Sequence, residues 1–248
     1  MKKKLLAIAL VVALLAVAVG GTLAYFTDQD AATNTFTVGS VKIEVFENDQ
    51  ETEADVVTFG PLTPIVNVDD PSADVSYIDK SVEIKNTGKN NAYVRVHIAV
   101  PSKLAHNFLC LDIAEADIDE LGWHRVSNSI AVVDGVEYDV MTYDFDTAVA
   151  PGAFTDELLK GVYLASEVDL LEDANGNLEF IRRLEGGYID ESDFIAHTLN
   201  ADGTYTSTTV KVLVAAQAIQ VDGFSTDVEK PATAALNSGF AGHPWPVE

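Results

Sequence analysis

The first 24 residues constrain this chain more than any other segment. Three lysines at positions 2–4 precede an unbroken apolar run over residues 5–19, and glycines and small residues follow as far as Ala24. A basic stretch, an apolar stretch and a small-residue exit form the order of a secretory signal peptide. Fifteen apolar residues are fewer than the about 20 that a membrane-spanning helix needs. We therefore expect residues 1–24 to be a signal peptide that is cleaved between Ala24 and Tyr25.

Composition then limits the partners of the mature chain. The cleaved chain keeps 12 of the 15 basic residues and all 39 acidic ones, which gives a net charge of −27. Such a charge repels nucleic acid and anionic lipid headgroups, so we expect no nucleic-acid partner, and membrane contact only through the uncleaved signal. The single cysteine, Cys110, excludes an intramolecular disulfide and argues against a cysteine-rich zinc site.

Strand patterns dominate the mature chain. Apolar and polar residues alternate over residues 36–46, and residues 81–100 show two alternating runs around a turn, which predicts a hairpin. Asp134-Gly135 is typical of a two-residue hairpin turn. Two further strand patterns flank residues 173–177. Residues 210–221 are apolar on both faces, as expected of a central strand.

Helix patterns are few. Residues 115–121, 191–199 and 227–236 show short helical patterns, the last one limited by Pro231. Many short strands separated by turns predict an all-β fold, an antiparallel β-sandwich with a few short helices. We expect this sandwich to span residues 25–224, followed by a loosely packed, Gly/Pro/Ala-rich tail over residues 225–248.

The residues around the expected cleavage site resemble a known family. Residues 20–28 read GGTLAYFTD and residues 32–41 read ATNTFTVGSV, with weaker similarities at residues 82–88, 149–152 and 214–220. This pattern resembles the TasA/camelysin family of Gram-positive surface proteins. The resemblance implies a jelly-roll form of the sandwich and a SipW-type signal peptidase as the processing partner. It also implies a secreted protein of the extracellular matrix or cell surface.

The new N-terminus is the main functional candidate. Tyr25, Phe26 and Thr27 begin a segment over residues 25–31 that could add as a strand to the sheet edge of another subunit. Two alternatives are that this segment folds back onto its own subunit or serves only peptidase recognition. The resemblance implies addition of this segment to another subunit, so that head-to-tail self-assembly builds extracellular fibres or a biofilm matrix.

Enzymatic function is the second hypothesis. Camelysin is classed as a metalloendopeptidase, so the resemblance also implies cell-surface peptidase activity. The five histidines form no His-Glu-x-x-His motif and no other recognisable zinc-peptidase pattern, so we assign no catalytic residues and expect a non-enzymatic protein. His97 lies on the polar face of its predicted strand, where we expect it to be exposed. A third hypothesis is a monomeric surface module for binding or adhesion.

A weak calcium site is the only cofactor that the sequence suggests. Asp173, Asn175, Asn177 and Glu179 place oxygen atoms at alternate positions, as calcium loops do. Half of these ligands are neutral amides, and the sequence from Asp173 to Asn177 is also a good turn. Both interpretations remain open at this point, and we expect no other cofactor.

Overall fold

The computed structural model describes residues 27–30, 41–47, 50–51, 56–59, 62–105, 107–113 and 120–246. These residues form three antiparallel sheets and one α-helix. No helix in this part of the chain is long and apolar enough to cross a membrane. The expected signal peptide, the cleavage site at Ala24 and Tyr25, and the predicted strand residues 36–40 lie outside the described residues.

Strands are numbered in chain order across all three sheets, and the first sheet has six of them. They are β1 (Thr27–Asp30), β4 (Val56–Phe59), β6 (Ala92–Pro101), β8 (Trp123–Val133), β9 (Val136–Phe145) and β15 (Val210–Gln220). Their spatial order is β1-β15-β6-β9-β8, and β4 pairs with β15 on the same edge as β1. The strand β15 is therefore internal, as its two apolar faces predict.

The second and third sheets complete the architecture. The second sheet contains β2 (Ile43–Glu47), β3 (Gln50–Glu51), β5 (Ile78–Asn86), β7 (Leu109–Asp112) and β10 (Leu159–Leu164), in the order β3-β2-β5-β10-β7. The third contains β11 (Val168–Glu172), β12 (Leu178–Arg183), β13 (Ile189–Leu199) and β14 (Tyr205–Ser207), in sequence order. The helix α1 (Pro231–Gly239) follows near the C-terminus.

The core lies between the first and second sheets. Val96 and Ile98 of β6 and Val214 of β15 belong to the same buried cluster as Val82 and Ile84 of β5. Alternate residues of each strand point to this layer because side chains of a strand have a period of two. An all-β antiparallel sandwich, as the sequence predicts, is confirmed.

Two of the predicted local turns are found where the sequence places them. Val133 pairs with Val136, and the intervening Asp134 and Gly135 have φ angles of 53° and 78°. A two-residue hairpin turn of this kind requires positive φ at both positions, which glycine and aspartate tolerate best. The strands β11 and β12 also pair on either side of residues 173–177.

The hairpin predicted over residues 81–100 is wrong. The strand β5 pairs with β2 and β10, whereas β6 pairs with β15 and β9, so residues 87–91 cross from one sheet to the other. The buried side chain of Asn86 fixes this crossing by donating to the carbonyl oxygens of Asn90 and Val149, both at 2.8 Å. The chain does turn after Asn86, as its sequence predicts, but the strands that pair with β5 and β6 come from distant segments of the chain.

The helix predicted over residues 191–199 is also wrong, since these residues belong to the strand β13, with Ser192 and Ala196 buried. The helix predicted over 227–236 exists as α1, which begins at Pro231. Proline is favoured at the first position of a helix, because its missing N–H group would have no partner there. Of the remaining helix prediction at 115–121, residues 115–119 lie outside the described residues, while Leu121 lies in a turn.

The C-terminal segment differs from the loosely packed tail that its composition suggested. Ala232, Ala235, Leu236 and Phe240 are buried against Tyr93 of β6 and Ile219 of β15. This spacing of three, one and four residues places the apolar side chains on one face of a helix. We call residues 225–246 the C-terminal strap, because they lie over the face of the first sheet that points away from the core.

Candidate assembly edge and its surroundings

The N-terminal strand β1 pairs with β15 of its own chain. Thr27 lies opposite Ile219 and Asp30 lies opposite Ala216, in an antiparallel register of four residue pairs. Thr27 is the one described residue among the three N-terminal candidates; Tyr25 and Phe26 lie outside the described residues. The fold-back alternative therefore describes the single chain, whereas donation to another copy would use the same backbone groups.

The acceptor edge on β15 is shared between two short strands. The strand β4 pairs with residues 210–213 of β15, and β1 pairs with residues 216–219. On its other edge β15 pairs with β6 through eight residue pairs. The segment of β15 opposite β1 is therefore held firmly from one side, while the other side is completed by only the four residues of β1.

The acceptor segment of β15 is shaped by both neighbouring layers. Ala216 and Ala218 face the main core and are fully buried. Gln217 and Ile219 face the strap, where Ile219 packs in the apolar cluster with α1 and Gln217 donates to the carbonyl oxygen of Gly242 at 3.0 Å. Rigid packing on both faces presents the backbone groups of residues 216–219 in a fixed extended conformation.

A buried ion pair lies beneath the strap. Arg95 of β6 contacts Asp144 of β9 through two hydrogen bonds of 2.6 and 2.9 Å, and the two side chains are 4% and 0% exposed. The same guanidinium donates to Asn237 of α1 at 2.8 Å. Two parallel bonds to one carboxylate are the strongest geometry for such a pair, and the third bond connects the pair to the strap.

Contrary to the sequence expectation, His97 is not exposed. It is 1% exposed, and its ring lies between Thr142 Oγ1 at 2.9 Å and Gln217 Oε1 at 3.1 Å. Burial, against a smaller opposing effect of the bond to Gln217, lowers the pKa of His97 to about 4. The alternation of β6 predicted correctly which face His97 lies on, but it did not indicate that the strap would cover this face.

Three more contacts attach the strap to the far edge of the sheet. His124 of β8 lies 2.6 Å from the Asp146 carboxylate and 2.8 Å from Thr233 Oγ1 of α1. Beyond the helix, Pro246 accepts a backbone hydrogen bond from Val132 at 3.1 Å. His243 lies 3.2 Å from the carbonyl oxygen of Ile130. The end of the strap therefore covers part of the exposed edge of β8.

A cleft opens between the edges of the two main sheets. Its volume is about 710 Å³, within the usual range for small-molecule sites. The lining mixes apolar side chains with polar and charged ones, and includes Leu109, Leu111, Ile130, Met141, Tyr163, Arg125, Asn128 and Asp139. We call it the edge cleft. Cys110, half-buried, also lines it, and burial raises the pKa of its thiol.

The predicted calcium loop is a closed turn. One carboxylate oxygen of Asp173 accepts from the backbone N–H groups of Asn175 and Asn177, both at 2.8 Å. The other accepts from the Asn177 side-chain amide at 3.0 Å. These bonds lower the pKa of Asp173, with the Asn177 amide as the largest cause, whereas burial raises the pKa of Glu179. The two asparagines thus direct N–H groups at the carboxylate.

We expect Asp173→Ala to loosen the turn between β11 and β12. The variant loses three hydrogen bonds of 3.0 Å or less, so amides of residues 172–178 should exchange with solvent faster than in the wild type. Asn175→Ala is the matched control, because its side chain adds only a 3.5 Å contact. Unchanged exchange in Asp173→Ala would contradict the turn role. Calorimetry of the same proteins measures whether the loop also takes up calcium.

The histidines do not form a metal centre in the described part of the chain. Among these residues, no group of three or more histidine, cysteine, aspartate or glutamate side chains is placed to hold a metal ion. His97 and His124 are buried beneath the strap, while His197 bonds to Ser207 in the third sheet. His106 lies outside the described residues.

The comparison with known proteins bears on the N-terminal third of the chain. Residues 1–92 match the family model described as camelysin metallo-endopeptidase. This match confirms the resemblance to the TasA/camelysin family and extends from the expected signal to the first residue of β6. No curated protein matches the chain.

Proposed function

We propose, taking the N-terminal match to the camelysin metallo-endopeptidase family as the premise, that this chain is a secreted structural protein of extracellular fibres or biofilm matrix. A SipW-type peptidase would release it by cleavage between Ala24 and Tyr25. Copies would then assemble head-to-tail, each donating β1 to the next. The observation that carries this proposal is the register of β1 on β15, four residue pairs at an edge that a second copy can equally complete.

Strand exchange explains how one surface could serve both the single chain and the fibre. The acceptor on β15 needs only extended backbone in antiparallel register, and β1 of a neighbour supplies the same groups as the chain's own β1. Residues 31–42 connect β1 to β2 and set how far β1 can reach. Each copy then carries one donor and one acceptor, and a head-to-tail contact that does not close produces a filament.

The peptidase hypothesis has less support from the described residues. The matched family is described as a metallo-endopeptidase, but the part of the chain that the structure describes places no metal-binding group of histidine, cysteine or acidic side chains. We therefore propose a non-enzymatic role. Chelator-sensitive cleavage of a protein substrate by the purified mature chain would overturn it.

A disulfide between β1 and β15 tests the proposal directly. Asp28 lies opposite Ala218, and directly opposed residues of antiparallel strands have Cα atoms about 4.5–5.5 Å apart, within the range for a disulfide. We therefore expect Asp28→Cys with Ala218→Cys, in a Cys110→Ser background, to oxidise efficiently. In fibres the bond should join different copies and give a ladder of covalent multimers on a non-reducing gel.

The outcomes of this experiment separate the parts of the proposal. Fibres that contain only bonds within single copies would show that β1 stays with its own chain. Absence of fibres under all conditions would reject the structural role itself. The control pairs Asp28→Cys with Ser207→Cys, which lies on the exposed strand β14 of the third sheet and should give no ladder.

The edge cleft favours the monomeric binding module as a second candidate. Its volume and its mixed lining, in which apolar side chains lie beside Arg125 and Asn128, suit a small molecule with an apolar body and a polar end, such as a fatty acid. Cys110 is a convenient reporter, because it is the chain's single cysteine and lines the cleft. If the cleft binds such ligands, bis-ANS or palmitate should slow the alkylation of Cys110. As a control, the same concentration of either probe should leave the acylation rate of the exposed Lys42 side chain unchanged. Equal alkylation rates with and without both probes would reject this candidate.

A further inference from the structure

The sheet face beneath the C-terminal strap is unusual for a permanently buried surface. Six of the buried residues that point from the sheet toward the strap are polar or charged, and they lie among the apolar residues that the strap also covers. The six are Arg95, His97, His124, Thr142, Asp144 and Gln217. Buried polar groups cost free energy unless they are paired, and an apolar face would hold a helix more simply. Each of these residues has a hydrogen-bond or charged partner while the strap covers it. The same polar groups could bond to water if the strap moved away.

The apolar contacts of the strap are limited. One cluster joins Ala232, Ala235, Leu236 and Phe240 to the sheet at Tyr93 and Ile219. A second, smaller cluster places Trp245 over Ala99, Ala131, Tyr138 and Leu213. The remaining attachment consists of single hydrogen bonds. A segment held in this way opens at lower free energy than the sheets beneath it.

We propose that the C-terminal strap is an acid-sensitive latch that opens to expose the β8 edge and the adjoining sheet face to a second copy of this chain. The proposal rests on the fold alone and does not require strand donation at β15. It concerns the opposite edge of the same sheet.

His97 is the central group of the latch. Its ring lies at about 6.3 Å, centroid to centroid, from both His243 and Trp245 of the strap. From β9 it faces Thr142 and Asp144, from β15 it faces Gln217, and Arg95 is its charged neighbour on β6. Arg95 and His243 oppose a positive charge on this ring, whereas Asp144 and the bond to Gln217 favour one.

The closed strap therefore requires a neutral His97. With the strap closed its pKa is about 4, below the ordinary value of 6.5. An exposed ring in the open state would regain the ordinary value, so the open state binds a proton more readily. The contribution of His97 to the stability of the closed strap is therefore fully present above pH 6.5, and it is lost as the pH falls from 6.5 toward 4. These values imply that the opening equilibrium increases about 20-fold between pH 7 and pH 5.

Opening would uncover hydrogen-bonding groups on an edge strand. The N–H of Val132 and the carbonyl of Ile130 are bonded to Pro246 and His243 when the strap is closed. Beside them lie the apolar residues that Trp245 covers, among them Ala131 and Tyr138. An uncovered edge strand next to apolar surface pairs readily with another strand. A second copy presents the same edge in the same state, so two β8 edges can pair around a two-fold axis.

Hydrogen exchange of the mature protein tests the latch. After correction for intrinsic exchange rates, amides of residues 231–246 should lose about 20-fold of their protection between pH 7 and pH 5, while amides of β6 and β9 keep theirs. His97→Gln should remove most of this pH dependence. His197→Gln is the matched control, because His197 lies in the third sheet. If His97→Gln fails to fold, His97→Asn replaces it. Simultaneous loss of protection in strap and sheet, or full pH dependence without His97, would overturn the latch.

Sedimentation at the same pH values tests the partner. The wild type should form concentration-dependent dimers at pH 5 and not at pH 7. Val132→Pro removes the edge N–H and should abolish these dimers while the strap still opens by hydrogen exchange. Deletion of residues 25–31 should leave them unchanged, which separates this association from strand donation. A wild type that stays monomeric at pH 5 with its strap open would overturn the assignment of a second copy.

Discussion

Deletion of residues 25–31 from the mature chain is expected to abolish fibre formation. The deletion removes the whole of β1 and with it all four residue pairs on β15. Burying one phenylalanine side chain is worth roughly 1.5–3 kcal/mol, too little to hold a fibre, so the backbone ladder must supply the rest. A point change such as Phe26→Ala should therefore slow assembly, whereas the deletion should stop it. Electron microscopy and sedimentation measure both effects.

Ionic conditions provide a control for this experiment. The charge of −27 on the mature chain makes copies repel one another, and both salt and acid weaken that repulsion. Full-length mature protein should therefore form fibres faster at higher salt and at lower pH, while the deletion variant should form no fibres at any salt concentration or pH. Identical fibres from both proteins, or monomers from both under every condition, would reject donation by this segment.

Replacement of Asp144 by alanine is expected to have the largest effect on stability. Asp144 and Arg95 are almost fully buried and joined by two hydrogen bonds. Removing the carboxylate leaves a guanidinium charge in the interior with Asn237 as a neutral partner. Breaking a buried pair in this way costs about 3–5 kcal/mol. Urea unfolding at pH 7 should show this loss as a lower midpoint at an unchanged slope.

A double variant distinguishes the lost charge partner from lost packing. Arg95→Met with Asp144→Leu removes both charges and keeps most of the volume. Replacing a complete buried pair by apolar residues is often neutral or stabilising, so the double variant should be more stable than Asp144→Ala alone. A double variant that is less stable than the single one would mean that the bond from Arg95 to the strap matters more than the charge balance.

The sequence predicted those parts of the fold that depend on local patterns. Asp134-Gly135 specified its hairpin because few residues tolerate positive φ at two successive positions. The apolar run of β15 predicted a central strand because polar groups are rare where both faces are covered. In each case the necessary information lay within about ten neighbouring residues.

The parts that the sequence did not predict depend on distant partners. Asn86 looked like a turn residue, but its bond to Val149, 63 positions away, turns the chain into the other sheet. His97 looked exposed because the strap that covers it comes from the other end of the chain. The spacing of Ala232, Ala235, Leu236 and Phe240 was a usable helical signal, and the Gly/Pro/Ala-rich composition around it obscured that signal.

Only the donor half of the candidate site was predicted, because the acceptor half depends on a distant segment of the chain. The sequence singled out Thr27 and its neighbours from the small-residue exit of the signal. It contained no indication that residues 216–219 of β15 would lie opposite them, because register between segments 190 positions apart cannot be derived from alternation alone.

The pairing of β15 also bears on how a fibre would carry tension. Because a donated β1 would lie antiparallel to β15 and be hydrogen-bonded to it, tension along the fibre would act parallel to the axes of both strands. The hydrogen bonds between them would then be loaded in shear, all at once, rather than peeled apart singly. The next bonds in series are the eight residue pairs between β15 and β6, twice the number in the donated joint. An overloaded fibre would therefore part between subunits and leave each sandwich folded and able to rejoin.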